Sequence, residues 1–139
     1  MREFLKNAMI YVDTSAIYAL LDRDDQNHPA ARERWLHMLE AGSPLFTTNY
    51  VVVEIFALAQ RRLGFDAVRT IQQDILPAIE VRWMDEASHS LAVAALLAAR
   101  RRNLSLVDCA SFSAMRHTGA RVAFAFDRHF AEEGFLFPD

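Results

Sequence analysis

The chain has 139 residues, of which 53% are hydrophobic, and it carries a net charge of −3. This length suits one domain with its own hydrophobic core, and no apolar run approaches the roughly 20 residues that a transmembrane helix needs. A single cysteine, Cys109, excludes an internal disulfide, and the N-terminus lacks the apolar segment of a secretory signal. We therefore predict one domain over residues 1–139 that is cytoplasmic and makes no membrane contact.

Short apolar runs alternate with segments of helical character along the chain. Glycine and proline mark several boundaries: Pro29 suits a first helical turn, and Gly42, Gly64 and Gly119 each follow a helical run. In chain order, the sequence predicts strands at 8–12, 45–47, 79–83 and 121–126, helices at 14–21, 30–41, 49–63, 66–76, 86–100 and 106–117, and a last edge strand at 135–137.

This alternation predicts an α/β fold. Parallel strands need crossover connections, which usually contain helices, and both faces of the sheet are then covered. We expect a three-layer α/β/α sandwich around a central, mostly parallel sheet of four to five strands. Ligands of such sheets bind beyond the carboxyl ends of the strands, which is where Asp13 and Asp127 fall.

Four acidic residues lie in apolar surroundings. Asp13 and Asp127 each close an almost purely apolar run, and Glu54 and Asp108 stand among aliphatic neighbours. A carboxylate that is removed from water is costly unless a cation compensates its charge. Four such acids in one small chain therefore suggest a shared divalent metal site. Ligation by oxygen alone favours Mg²⁺ or Mn²⁺ over Zn²⁺, which prefers nitrogen and sulfur.

Each acid also has an ordinary structural explanation. Asp13 and Asp127 suit N-terminal helix caps, and Asp108 lies at the start of a helix after Ser105. Glu54 suits an exposed stripe on a helix. These explanations weaken if the four side chains converge on one pocket, because convergence requires a cation.

Two further reactive side chains adjoin these acids in the sequence. His129 could contact a phosphate or a water bound to metal, although the ordinary explanation is a surface histidine. Cys109 is expected to be a small core residue, since no histidine at a suitable spacing would activate its thiol.

The charge distribution bears on nucleic-acid binding. A net charge of −3 argues against a nucleic-acid partner, but one or two divalent ions would raise the charge to about −1 or +1. The cations are almost all arginine, whose planar side chain suits phosphate. A basic rim and solvated helix ends are alternative explanations for the arginines at positions 61, 62, 100, 101, 102, 116 and 128.

Short motifs around the four acids resemble the PIN-domain family and, within it, the VapC-type toxin ribonucleases of toxin–antitoxin pairs. The likeness covers nearly the whole chain. It depends on four motifs in the right order, namely Val12-Asp13-Thr14-Ser15, Thr47-Thr48-Asn49 leading to Glu54, Leu104-Ser-Leu-Val-Asp108-Cys, and Phe126-Asp127-Arg128-His129-Phe130.

The resemblance implies the parts of an active site. Asp13, Asp108 and Asp127 would bind Mg²⁺, or Mn²⁺ as a substitute, and Glu54 would bind it directly or through water. The enzyme would be an endoribonuclease that hydrolyses phosphodiester bonds of RNA with a nucleophilic water activated by the metal. The resemblance also implies an antitoxin protein as partner. Five residues are expected nearby as contacts of the carboxylates or of phosphate, namely Ser15, Asn49, Ser105, Arg128 and His129.

The chain departs from the common family pattern in two places. Val107 and Ala125 stand where the family usually has hydroxyl residues, so hydrogen bonds to the carboxylates are expected to be missing there. The family's first strand also usually begins at the initiator methionine. Met9 is therefore an alternative start, with residues 1–8 an N-terminal extension.

Other functions fit these residues less well. In an aspartyl-phosphate phosphatase, Asp13 would be a nucleophile and not a metal ligand, and a receiver domain is a second alternative. Both need a lysine late in the chain, whereas the only lysine here is Lys6, before the first strand. A PIN-domain nuclease without a toxin role and a non-catalytic PIN-like binding module remain alternatives. A homodimer is also expected, because the segment 49–76 carries more apolar residues than one face of a small sheet would cover.

Overall fold

The computed structural model describes residues 8–139, so the predicted N-terminal extension lies outside the described residues except for Ala8. Within this range, no helix is both long and apolar enough to cross a membrane. Four strands form one parallel sheet in the order β3-β2-β1-β4. Their bounds are β1 Ile10–Val12, β2 Leu45–Thr48, β3 Glu80–Arg82 and β4 Val122–Phe124.

Seven α-helices are present in the described range and connect or follow the strands. Four of them begin after a polar capping residue, because Asp13, Thr48, Asp85 and Ser105 accept hydrogen bonds from the free backbone N–H groups of the first turns. The helices are α1 Thr14–Leu21, α2 His28–Glu40, α3 Asn49–Arg62, α4 Phe65–Thr70, α5 Glu86–Ala99, α6 Leu106–Thr118 and α7 His129–Glu132. The predicted α/β sandwich with a parallel sheet is confirmed.

Three predicted elements differ in the structure. The expected helix over 66–76 changes at Ile71 into a π-helical turn, Ile71–Ile75, in which the Leu76 N–H bonds to the Ile71 carbonyl. The strand expected over 121–126 stops at Phe124, since the Phe126 N–H donates to the Ser15 hydroxyl instead of to a strand. The edge strand expected at 135–137 is reduced to one bridge between Leu136 and Val122.

Aromatic side chains fill the space between the sheet and α6. Tyr11 lies edge-on to Phe46 at 5.2 Å between ring centroids, and Phe130 packs edge-on against Phe112 at 5.0 Å. The Tyr11 hydroxyl is 2.7 Å from Oγ of Ser111, so its polar atom is bonded inside the core. Burial raises the pKa of Tyr11, which keeps it neutral. This core fixes β1, β2, α6 and α7 relative to one another.

The apolar residues that motivated a homodimer divide between core and surface. Val51, Ile55 and Ile71 are fully buried within the chain, so they cannot form an interface. Phe65 is 70% exposed at the start of α4, and Val53 is exposed on α3. The homodimer therefore stays a prediction, supported by fewer side chains than the sequence suggested.

The strand order creates one crevice beyond the sheet. From β1 the chain proceeds to β2 and then β3 on one side, and it returns to β4 on the other side of β1. In open parallel sheets, the point where the direction of connection reverses is the usual binding position. Asp13 directly follows β1, and Asp127 lies three residues beyond β4. The topology thus brings these two acids to the same crevice.

Candidate metal centre

Asp13 is held rigidly at the end of β1. Its backbone N–H extends the strand ladder by donating to the Phe124 carbonyl at 3.0 Å. Its Oδ2 accepts hydrogen bonds from the Ser15 backbone N–H at 3.1 Å and from the Ser15 hydroxyl at 2.7 Å. The cap explanation is therefore correct, but the side chain is only 4% exposed. Its other oxygen, Oδ1, accepts no hydrogen bond from the residues that the structure describes.

Asp108 occupies the first turn of α6. It forms a reciprocal capping box with Ser105, in which the Asp108 N–H donates to Ser105 Oγ at 3.0 Å and Asp108 Oδ2 accepts from the Ser105 N–H at 3.1 Å. The residue is 8% exposed. As with Asp13, the cap uses Oδ2 and leaves Oδ1 without a hydrogen bond from any described residue. Capping therefore orients the carboxylate and leaves one of its two oxygens available to a ligand.

Asp127 and His129 complete a cluster with Asp108. Asp127 Oδ1 accepts the His129 backbone N–H at 2.9 Å, and the ring Nδ1 of His129 lies 2.8 Å from the same oxygen. The ring nitrogen is also 3.7 Å from Asp108 Oδ2. One ligand atom from each of the three residues lies within 4.8 Å of the others. His129 is 7% exposed, so the interpretation as a surface histidine is wrong.

The pKa shifts indicate that three acids share one environment. Burial raises the pKa of Asp13 to about 7, against the opposing effect of the Ser15 hydrogen bonds, and the charges of Asp108 and Asp127 raise it further. Burial likewise raises the pKa of Asp108, with a contribution from Asp127. Mutual repulsion of this kind requires proximity. The structure thus brings together Asp13, Asp108 and Asp127 from three separate elements.

The fourth predicted acid, Glu54, stands apart in the hydrogen-bond pattern. It is partly exposed on the second turn of α3, and no hydrogen bond or ion pair of the described residues joins it to the other three acids. Helix α3 does pack against α6, the helix that carries Asp108. Its role as a ligand stays a prediction. The role of Asn49 as a phosphate contact also stays a prediction. Its Oδ1 accepts the Met84 N–H at 2.8 Å, so this oxygen already has a partner within the chain.

Several arginines of the predicted rim are already paired with acids. Arg101 lies 3.1 Å from Glu132, and Arg128 is 3.9 Å from the same residue. Arg100 and Arg102 are exposed in the loop before Ser105, and they form no ion pair with the residues that the structure describes. These two arginines of the predicted rim therefore keep their positive charge free of ion pairs with the described residues.

The donor atoms at the crevice suit a divalent cation. Each of the three aspartates keeps an oxygen that no described side chain or backbone group occupies, and carboxylate oxygens are the preferred ligands of Mg²⁺ and Mn²⁺. Three buried polar atoms on residues that closely follow Asp13 or Asp127 in the sequence also lack hydrogen-bond partners among the described residues, namely Thr14 Oγ1 and both ring nitrogens of His129. Buried polar atoms without partners often face an ion or ordered water. The residues present thus fit a metal.

Comparison with known proteins identifies the family. The sequence model of the PIN domain matches residues 10–136, which is most of the chain. The chain belongs to the PIN-domain family. This PIN domain is 33% identical over 131 residues to the 23S rRNA-specific endonuclease VapC20 of Mycobacterium tuberculosis, in the strains CDC 1551 / Oshkosh and H37Rv, with 92% of this chain and 96% of the relative covered.

Solved structures agree with this assignment. The crystal structure of Mycobacterium tuberculosis VapC20, described as a Sarcin-Ricin loop cleaving toxin, has a TM-score of 0.80 to this PIN domain at 32% identity, covering 91% of this chain and 96% of that one. VapBC2 from Rickettsia felis, bound to a promoter DNA fragment, has a TM-score of 0.66 at 10% identity, with 93% and 96% covered. FitAcB from Neisseria gonorrhoeae has a TM-score of 0.64 at 17% identity, with 94% and 97% covered.

These relatives bear on the predictions made from sequence. The two more distant structures show the fold alone. The family match and the VapC20 relatives confirm the predicted resemblance and the enzyme class, a nuclease of the VapC type. The rival interpretations as a phosphatase or a receiver domain are not supported.

The two departures from the family pattern have a packing role in this PIN domain. Ala125 is buried directly after β4, and Val107 packs against the core from the first turn of α6. Neither can donate a hydrogen bond to an acid. Of the hydroxyls predicted near the carboxylates, that of Ser15 donates to Asp13 Oδ2, whereas that of Ser105 accepts the backbone N–H of Asp108.

Proposed function

We propose that this PIN domain is a metal-dependent endoribonuclease that cleaves 23S rRNA and acts as the toxin of a toxin–antitoxin pair. The observation that carries this proposal is the convergence of Asp13, Asp108 and Asp127 at the reversal point of the sheet, where the charges of Asp108 and Asp127 raise the pKa of Asp13 and the charge of Asp127 raises the pKa of Asp108. The choice of RNA rests on 33% identity, over nearly the whole chain, to a 23S rRNA-specific endonuclease.

Asp13, Asp108 and Asp127 are the proposed ligands of Mg²⁺ or Mn²⁺, with Glu54 as a fourth acid. When bound, such a cation lowers the pKa of water and offsets the negative charge that develops on a phosphate under attack. The side chains of the protein supply orientation. Ser15 fixes Asp13, and the capping box fixes Asp108, so neither carboxylate must be ordered when substrate arrives.

The loop before α6 is the proposed contact for the RNA backbone. Arg100 and Arg102 are exposed there and lie a few residues before Ser105. Arginine side chains bind phosphate oxygens through paired N–H groups, which positions a strand without reading its bases. A local cationic loop of this kind explains how a chain of net charge −3 could bind a polyanion.

Cleavage of ribosomal RNA by the purified protein tests this function. We expect one discrete cut in 23S rRNA of bacterial ribosomes in the presence of Mg²⁺ or Mn²⁺, mapped by primer extension, and no cut after the metal is chelated. A DNA oligonucleotide of the same loop sequence serves as the control and should stay intact. Cleavage that persists in excess chelator would refute the metal-dependent reaction, and absence of any RNA cleavage with either ion would refute the ribonuclease.

The toxin role is tested by growth. Expression of the wild-type chain should slow bacterial growth, and co-expression with the product of the adjacent gene should restore it if that product is the antitoxin. The matched strain expresses Asp13→Asn, which lacks a proposed ligand and should grow normally. Equal growth of both strains, with soluble wild-type protein present, would favour the alternative of a PIN-domain nuclease without toxin activity.

A further inference from the structure

His129 is buried beside the acidic cluster, but its ring nitrogens make no hydrogen bonds with the described residues. Neither Nδ1 nor Nε2 has a hydrogen-bond partner among the described residues. Nδ1 approaches Asp127 Oδ1 to 2.8 Å, but the contact lacks the angle of a hydrogen bond. Burying an imidazole without a hydrogen bond costs folding free energy. A buried ring nitrogen of this kind therefore indicates a binding partner, such as an ion or a water molecule, that lies next to it in the functional protein.

The need to orient the Asp127 carboxylate does not explain why the imidazole ring of His129 is buried here. Asp127 Oδ1 already accepts the backbone N–H of His129 at 2.9 Å, so the main chain orients this carboxylate. The position of the ring is fixed independently, because the neighbouring Phe130 is fully buried and packs 5.0 Å from Phe112. The core thus presents the imidazole to the acids whether or not it bonds to them.

The separation between His129 Nδ1 and Asp127 Oδ1 matches that between neighbouring ligands of one ion, and one ligand atom from each of Asp108, Asp127 and His129 lies within 4.8 Å of the others. Nδ1 is 2.8 Å from Asp127 Oδ1 and 3.7 Å from Asp108 Oδ2. Adjacent ligands of an octahedral cation with bonds of 2.0 to 2.2 Å lie about 3 Å apart. We propose that His129 Nδ1 is itself a metal ligand, so that the site has a mixed oxygen and nitrogen ligand set and prefers Mn²⁺ to Mg²⁺.

The preference follows from the chemistry of the donors. Mg²⁺ binds oxygen almost exclusively and gives up its water reluctantly, whereas imidazole nitrogen is a ligand that first-row transition ions accept more readily. This inference rests on the proposed metal site of the aspartates. It adds a residue that binds metal and a selectivity that carboxylates alone would not give.

Pulsed electron paramagnetic resonance of Mn²⁺ bound to the wild-type protein tests the inference. A directly coordinated imidazole gives a ¹⁴N coupling on the Mn²⁺ signal, and protein labelled with ¹⁵N-histidine should show the corresponding ¹⁵N coupling instead. The His129→Asn variant replaces the nitrogen by an amide oxygen and should lose the coupling. We expect its affinity for Mn²⁺ to fall roughly 10- to 100-fold, measured by titration, with a smaller change for Mg²⁺.

His117→Asn is the matched control. This histidine is exposed near the end of α6, nine residues beyond Asp108 and so about 14 Å along the helix axis. The control should keep both the coupling and the Mn²⁺ affinity.

The outcomes separate the two proposals. A ¹⁴N coupling that disappears only in His129→Asn supports the ligand. Mn²⁺ that binds to and stabilises the wild-type protein without any nitrogen coupling overturns the inference and leaves the metal site of the aspartates standing. Failure of Mn²⁺ to bind or raise the Tm of wild-type protein at all would overturn both. Because the wild-type spectrum with ¹⁵N-histidine decides the question, a variant that fails to fold does not obscure the result.

Discussion

Replacing Asp13 by asparagine will abolish metal-dependent cleavage of RNA while preserving the fold. The amide has nearly the same shape, and its oxygen can still accept the hydrogen bonds from the Ser15 N–H and hydroxyl. It lacks the charge that binds a divalent cation, so we expect cleavage to fall on the order of 10³-fold or below detection. Asp108→Asn should have the same effect, because an amide oxygen can also accept the Ser105 N–H in the capping box.

Asp85→Asn is the matched control for both variants. It makes the same chemical change at another helix cap, where Asp85 accepts the Ser88 N–H at 2.8 Å on the exposed start of α5. Its cleavage rate should equal that of the wild type. Circular dichroism verifies that all variants are folded, and rates are measured on the same RNA with Mg²⁺ or Mn²⁺. Undiminished cleavage by folded Asp13→Asn would remove this residue from the metal site.

The metal-free protein will lose stability as the pH rises from about 4 to about 7. Burial and the charges of Asp108 and Asp127 raise the pKa of Asp13 to about 7 in the folded state, from an ordinary value of 3.8. Between these values, the unfolded chain releases a proton that the folded protein retains, so higher pH favours unfolding. The contribution is fully present below the ordinary pKa and is lost once the pH passes the folded value.

The size of this effect has an upper bound. A shift of about three pKa units corresponds to about 4 kcal/mol in the free energy of unfolding. Denaturant titrations of the metal-free protein across this pH range measure the change in the free energy of unfolding. The Asp13→Asn variant isolates the contribution of Asp13, because asparagine cannot titrate. The stability of the wild type should fall relative to that of the variant with rising pH. Parallel pH profiles of the two proteins would contradict the raised pKa.

A divalent cation should reverse this trend. The cation binds the ionised carboxylate, so proton release and metal binding are linked and added Mn²⁺ stabilises the folded protein more at pH 7 than at pH 5. For Asp13→Asn, the added ion should raise the Tm much less. A Tm of wild-type protein that is insensitive to Mn²⁺ at neutral pH would count against the whole centre.

The helices, the strands and most of the candidate site residues could be predicted from the sequence, because the signals for them lie in short segments of the chain. Asp13 was predictable as a strand-end acid because the apolar residues up to Val12 are followed at once by Thr14 and Ser15, which begin a helix. Ser105 and Asp108 have the spacing of a capping box, and this box is present. Gly119 ends α6 with a backbone φ of 76°, which glycine tolerates without strain. Each of these signals depends only on neighbours along the chain.

The burial of His129 beside Asp127 was not predictable in the same way. The helix that begins there, α7, has only four residues, which is too short to show a helical period. Its burial depends on Phe130 packing against Phe112 and Tyr11, which are distant in sequence. Likewise, β4 ends early because Ser15, 111 residues away, accepts the Phe126 N–H.

By itself, the sequence determined the α/β class, the family resemblance and the candidate acids, because strand and helix periods, caps and motifs are properties of short segments. Only the tertiary structure decided which candidates meet. The strand order β3-β2-β1-β4 brings the ends of β1 and β4 together, so that Asp13, Asp108 and Asp127 share one environment with His129 beside them, while Glu54 remains partly exposed on α3. Proximity across the fold depends on how strands pair and helices pack, and no local pattern encodes that.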